Sequence, residues 1–201
     1  AVGVALYGKK RELFAGSGGR AEPFAAENPQ STVVLIRNEK AVGAGDKVDP
    51  AVVREMIDTA IIQFSGEAEA AKAWSKFVQA NDTVGVKFTR CDWMRVHTEQ
   101  AVIDAVVTRV GEAGVSKDRI FAQDGGLPVA KCTALINVPS VKVHTLTGIA
   151  VSLKNYINFS PQPSKYHAPS TNLGEVFLLA EVKGKTKLIV CLLYTSDAAD
   201  E

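Results

Sequence analysis

Asn137 to Phe159 reads NVPSVKVHTLTGIAVSLKNYINF, an apolar run that carries Lys142, His144, Thr145, Thr147 and Lys154 with no acid among them. The gap in acids is wider than this run. No Asp or Glu occurs from Gly125 through Gly174, yet Lys131, Lys142, Lys154, Lys165, His144 and His167 all do. The whole chain has 23 Lys+Arg against 22 Asp+Glu, a formal charge of +1, so the remainder is net acidic. Segregation of this kind makes a local positive potential suited to a carboxylate, a phosphate or another small anion. Scattered solubility charges are the bland alternative.

The chain has three histidines, His97, His144 and His167, each in an expected loop or strand end. Two or more in one site would offer proton transfer near neutral pH or nitrogen ligands for a metal. Asp92 and Asp124 could orient an imidazole or join His167 and His97 around a metal. A helix opening near Thr147–Gly148 would present free N–H groups and the positive end of its dipole to an anion. Gly148 would let that anion approach closely. Lys142, Thr145, Thr147, Gly148 and Asn155 are therefore candidate anion contacts. Catalytic roles fall to His144, as base or ligand, and Lys154. Lys154 lies seven residues beyond Thr147, about 10 Å along an ideal helix, so it meets His144 only if that helix starts late or breaks.

Other chemistries find no motif. There is no Walker pattern, no G-x-G-x-x-G, no H-E-x-x-H and no serine nucleophile elbow. Asp124–Pro128 (DGGLP) is a weak phosphate-turn candidate. Cys91, Cys132 and Cys191 form no C-x-x-C pair, so this chain alone builds neither a zinc ribbon nor an iron–sulfur site. A pI near 7.9 without a Lys/Arg run argues against nucleic-acid binding by bulk charge. No apolar stretch is long enough to span a bilayer.

The elements that must position these residues alternate. Ser31–Arg37, Asp82–Thr89, the RIFAQDGG run, TALINVP and KTKLIV read as strands. Asp49 and Pro50 open a helix that Gly66 ends, with Val52, Val53, Met56, Ile57, Ala60, Ile61 and Phe64 at helical spacing. EAEAAKAWSKFV, Thr98–Gly111, LTGIAVSLKNYI and NLGEVFLLAEV read as further helices, and FSPQPSKYHAPS as a loop. The pattern predicts an α/β fold, a mostly parallel sheet with helices on both faces. Ligands in such folds sit beyond the C-terminal strand ends. Here those ends supply Thr89–His97, Gln123–Gly126 and Val138–His144.

LINVPSVKVHTLTGIAVSLKN resembles the hallmark of the domain-of-unknown-function family numbered 362, a pattern like INVPxxKxHxxxGxxxxLKN. DPAVVREMIDTAIIQFSG, AWSKFV and DTVGVKFT resemble its N-terminal half in the same order, and the likeness covers about Thr32 to Val190. The resemblance implies a protein of the exported bacterial and archaeal kind, many with twin-arginine signals and some fused to iron–sulfur modules. Family members often carry a longer insert where only GGLPVAKCTA stands here. A fainter resemblance is to the nickel-pincer lactate racemases, through His144, Gly148 and Lys154 at His-x-x-x-Gly-x-x-x-x-x-Lys spacing. It implies a proton-transfer role for His144, a cofactor-bearing Lys154 and a nickel-binding His167. Val151–Leu153 replaces that family's small residues, and Gln123–Gly126 stands where its second catalytic histidine would be.

The ends read differently from the middle. AVGVALYG followed by KKR fits either the tail of an export signal or an early strand. CLLYTSDAADE, Cys191 to Glu201, back-translates to the adapter of transposon-based sequencing libraries. The expected organisation is thus an N-terminal segment over 1–30, one incomplete α/β domain over 31–190 and an adapter-derived tail over 191–201. The expected function is a small-anion or metal-assisted site at the strand ends, as in an enzyme acting on a small carboxylate. The alternative is a non-catalytic exported binding or iron–sulfur accessory domain, whose iron–sulfur module would lie in a C-terminal part beyond this fragment.

Overall fold

The computed structural model of the chain describes residues 2–8, 32–90, 96–167 and 172–194. Its first long helix, α1 (Pro50–Ser65), starts where the Asp49 carboxylate accepts from the backbone N–H groups of Ala51 and Val52 at 2.9 and 3.2 Å. It stops at Gly66, which sits at φ 74. Val53, Met56, Ile57, Ala60, Ile61 and Phe64 form its buried stripe. α2 (Ala70–Trp74) is one short turn, less than the expected EAEAAKAWSKFV helix. The Ser75 hydroxyl donates back to the Ala71 carbonyl at 2.9 Å as that helix closes. α3 (Gln100–Glu112) packs beside α1, with Arg109 forking onto Asp58 of α1 and reaching Glu112.

The sheet is six-stranded. Four strands are parallel: β3 (Val84–Phe88), β4 (Ile120–Gln123), β5 (Ala134–Val138) and the last, β8 (Thr186–Tyr194). β1 (Val2–Gly8) runs antiparallel between β8 and β2 (Thr32–Asn38), so VGVALYG is a strand here. The order across the sheet is β2-β1-β8-β5-β3-β4. β8 continues through Tyr194, past the expected end at Val190.

Alternation along the central strands divides two cores. Val84, Val86, Ala134, Ile136 and Val138 pack with α1 and α3. Leu135 faces the opposite side, where Leu127, Cys132, Tyr156, Tyr166, Val176 and Val182 cover the sheet. Gly85 lies on that second face. A Cβ there would come within 2.8 Å of Leu135 and 2.9 Å of the Cys132 sulfur, so any side chain would force those groups to shift. The β4–β5 crossing is short: it carries a single 3-10 turn, Val129–Lys131, and no α-helix.

The expected helix over LTGIAVSLKNYI is overturned. β6 (Lys142–His144) and β7 (Gly148–Ala150) form an antiparallel hairpin, and only α4 (Ser152–Asn155) is helical. The residues are compatible with strands once the turn is placed. Val143, Thr145, Thr147, Ile149 and Val151 are β-branched or alternate with polar residues, and Gly148 at φ 74 turns the chain. NLGEVFLLAEV is likewise a 3-10 helix, Leu173–Leu178, and the expected loop around Tyr166 holds another, Pro163–His167. Among the described residues no helix is long and apolar enough to cross a membrane.

Candidate functional site

Beneath the C-terminal ends of β3, β4 and β5 lies a buried polar bed. Lys87 is only 1 % exposed. Its ammonium donates to the Phe88 carbonyl at 2.5 Å, to Asp124 Oδ1 at 3.0 Å and to Asn155 Oδ1 at 3.0 Å. Three partners for one ammonium leave the cation well compensated for its burial. Asp124 Oδ2 accepts from the Arg90 N–H at 3.0 Å. Asn155 Nδ2 donates to the Lys87 carbonyl at 3.0 Å and to Asn137 Oδ1 at 2.7 Å, while its Oδ1 also accepts from the Thr89 hydroxyl. Asn137 Nδ2 donates to the Ser152 carbonyl at 2.9 Å. β3, β5 and α4 are thereby tied at one point. A buried cation is tolerated only with such partners.

Lys154, the next residue to Asn155, emerges from this bed. It is 9 % exposed, and its Nζ lies 2.5 Å from His167 Nε2. His167 Nδ1 lies 3.2 Å from the Pro163 carbonyl, which can only accept. Nδ1 therefore carries the proton, Nε2 presents its lone pair, and Lys154 is the donor. His144 is fixed in the opposite sense. Its Nδ1 accepts from the backbone N–H groups of Leu146 and Thr147 at 3.2 and 3.3 Å, so the proton is on Nε2. The two imidazoles are tilted together, with ring centroids 5.5 Å apart. Burial holds the Lys154 amine below the ordinary lysine range. Burial also depresses His144, and Lys154, His167 and Lys142 add to the shift in that order. Among the described residues, the charges that shift His144 are cationic.

Several expected roles change. The anion-binding helix start at Thr147–Gly148 does not exist: the Thr147 N–H is committed to His144, and Gly148 serves the turn. Thr145 is exposed in that turn. Asn155 is a strut, with both amide atoms doubly engaged. His144 cannot be the base assigned to it, since its lone pair faces the hairpin backbone. It is a donor instead. Lys142 shares the inner face of β6 with His144 and donates to the Ser140 hydroxyl at 3.1 Å. Lys165 belongs to a surface pair with Glu175 at 2.8 Å. The metal set of His167, His97 and Asp124 is not assembled. Asp124 serves Lys87 and Arg90, His167 serves Lys154, and no three His, Cys, Asp or Glu among the described residues are grouped as a metal shell requires. Asp92 and Cys91 lie outside the described residues.

Lys87 is the residue that sequence reasoning missed. Its signal was a lysine inside an otherwise apolar strand, Val84–Phe88. The late helix start at Ser152 is what brings Lys154 to the histidines.

No curated protein and no solved structure matches this chain, so the fainter likeness to the nickel-pincer lactate racemases has no support there. A family model does match. It covers residues 34–193, from β2 to the last strand, and includes every residue of the Lys87 bed and of the Lys154 cluster. The chain belongs to the family described as domain of unknown function DUF362.

Proposed function

We propose that the Lys154 cluster binds a small organic carboxylate, as the substrate site of an enzyme. The observation that carries this reading is the cationic cluster itself. The Lys154 ammonium, the His144 Nε2–H and Lys142 converge where no Asp or Glu is supplied by residues 125–174. A partly buried set of donors of one sign is completed by an anion. The location, at the C-terminal ends of parallel strands, is where α/β sheets bind ligands. The size of the cluster, two imidazoles and two amines, suits a molecule of a few heavy atoms.

Calorimetric titration with propionate and with inorganic phosphate tests the reading. Propionate is expected to bind with one site per chain. Lys142→Ala is expected to weaken it by about tenfold, the loss of one charge-assisted contact at roughly 1.4 kcal/mol. Equal propionate affinity in the parent and in Lys142→Ala, with both proteins folded by circular dichroism, would remove the assignment.

A further inference from the structure

Lys154, His167 and Pro163 form a chain of nucleophile, base and orienter. The amine lies 2.5 Å from Nε2, and the Pro163 carbonyl at 3.2 Å from Nδ1 keeps the Nε2 lone pair aimed at it. Activated nucleophiles are recognised by this arrangement, a base within hydrogen-bond reach and a third group fixing the base. Beside it, His144 presents an Nε2–H because its Nδ1 is held by two backbone N–H groups. A neutral donor of that kind suits a carbonyl oxygen that gains charge. We propose that Lys154 forms a reversible imine with the carbonyl carbon of a small 2-oxo acid. This rests on the carboxylate site for the acid group and adds a covalent step to it.

The step balances within the cluster. The Lys154 ammonium passes one proton to His167 Nε2, and the free amine adds to the carbonyl carbon. The C–N bond forms as the C=O π pair moves to oxygen, which the His144 Nε2–H receives. A proton from the nitrogen reaches that oxygen to give the neutral carbinolamine. The His167 imidazolium then returns its proton to the carbinolamine hydroxyl, and the C–O bond breaks with loss of water. An ammonium and a ketone become a protonated imine and one water, with His167 regenerated. No oxidant or reductant is needed. Burial without a carboxylate partner eases the proton loss from the Lys154 ammonium that the addition requires. Lys87 is the internal contrast. It is more deeply buried, but its ammonium is held by three oxygen partners and paired with Asp124, which favours the cation over the free amine.

The experiment is pyruvate with sodium borohydride on the full chain, read by intact mass and then by peptide mapping. The expected result is one reduced pyruvate adduct per chain, mapped to Lys154 and absent from Lys154→Arg. Mapping in the parent protein needs no variant to fold. Adducts spread over exposed lysines, or none, overturn the proposal. Two companions separate it from the carboxylate reading. Propionate binding with no pyruvate adduct overturns the imine and leaves the carboxylate site standing. Acetone trapped at Lys154 by a protein that binds no propionate supports the imine and removes the carboxylate site. Neither binding nor adduct overturns both.

Discussion

Two buried lysines, one satisfied and one not, give the clearest consequences at the level of single residues. Lys87 donates three bonds and pairs with Asp124. Lys87→Met leaves that carboxylate and the Asn155 oxygen short of a donor, and is expected to lower stability by about 3 kcal/mol or more. Lys154→Met removes an amine that burial disfavours as a cation. A lysine with a depressed folded-state pKa has its stabilising term fully present only above its unfolded value, about 10.4, and loses it as pH falls through the folded value. Lys154→Met is therefore expected to raise stability, by roughly 1 kcal/mol, while abolishing ligand binding. Urea denaturation of both variants checks the opposite signs. His144 sets the acid side. Its folded-state pKa is lowered, so its contribution is present above the unfolded value near 6.5 and is lost as pH falls through the folded value. The melting temperature should fall as pH is lowered below about 6.5. His144→Asn, which offers the Leu146 and Thr147 N–H groups an oxygen in place of Nδ1, should flatten that dependence.

The elements hold these residues through two glycines with different duties. Gly85 is a matter of space, because a Cβ would press on Leu135, Cys132 and Leu127. Gly148 is a matter of backbone, at φ 74 with open space around its absent side chain. Gly85→Ala is expected to cost about 1–3 kcal/mol by overpacking the second core. Gly148→Ala is expected to cost about 1 kcal/mol and to loosen His144, which β6 and its turn position. Chemical denaturation gives the first number, and the imidazole shifts of His144 in an NMR titration report the second. The hairpin was also the least legible element. Its inner face places Lys142 and His144 in the site, and its outer face leaves Val143 89 % exposed beside Ile149. With apolar residues on the solvent side, the run carried no core-facing alternation and passed for a helix. By contrast, α1 was legible to the residue at both ends, because Asp49, Pro50 and Gly66 act through local hydrogen bonds and local φ values.

At the scale of the molecule, the alternation of strands and helices and the parallel pairing were legible, because each follows from short-range pattern plus the right-handed crossover. The meeting of Lys154 with His167 was not. It depends on α4 starting only at Ser152 and on a 3-10 turn at Pro163–His167, neither of which has a strong local signal. Lys87 escaped for a related reason. A strand lysine reads as an edge or surface residue until the partners that satisfy it, from Asp124 and Asn155, are known to share its end of the sheet.

Those partners are far away along the chain. Lys87 meets Asp124 across 37 residues and Asn155 across 68. Contacts of that separation form late, after chain closure has brought the strands together. α1, capped at both ends by its own neighbours, needs no such closure. Refolding from urea should then show two clocks. The far-UV signal of the helices should recover first, and propionate binding should return with a measurable lag. Lys87→Met should lengthen the lag without slowing the helical phase. The protein would acquire its shape before its buried polar bed, and a newly made chain would pass through an interval in which it is folded to the eye of a spectrometer and Lys87 still lacks its distant partners.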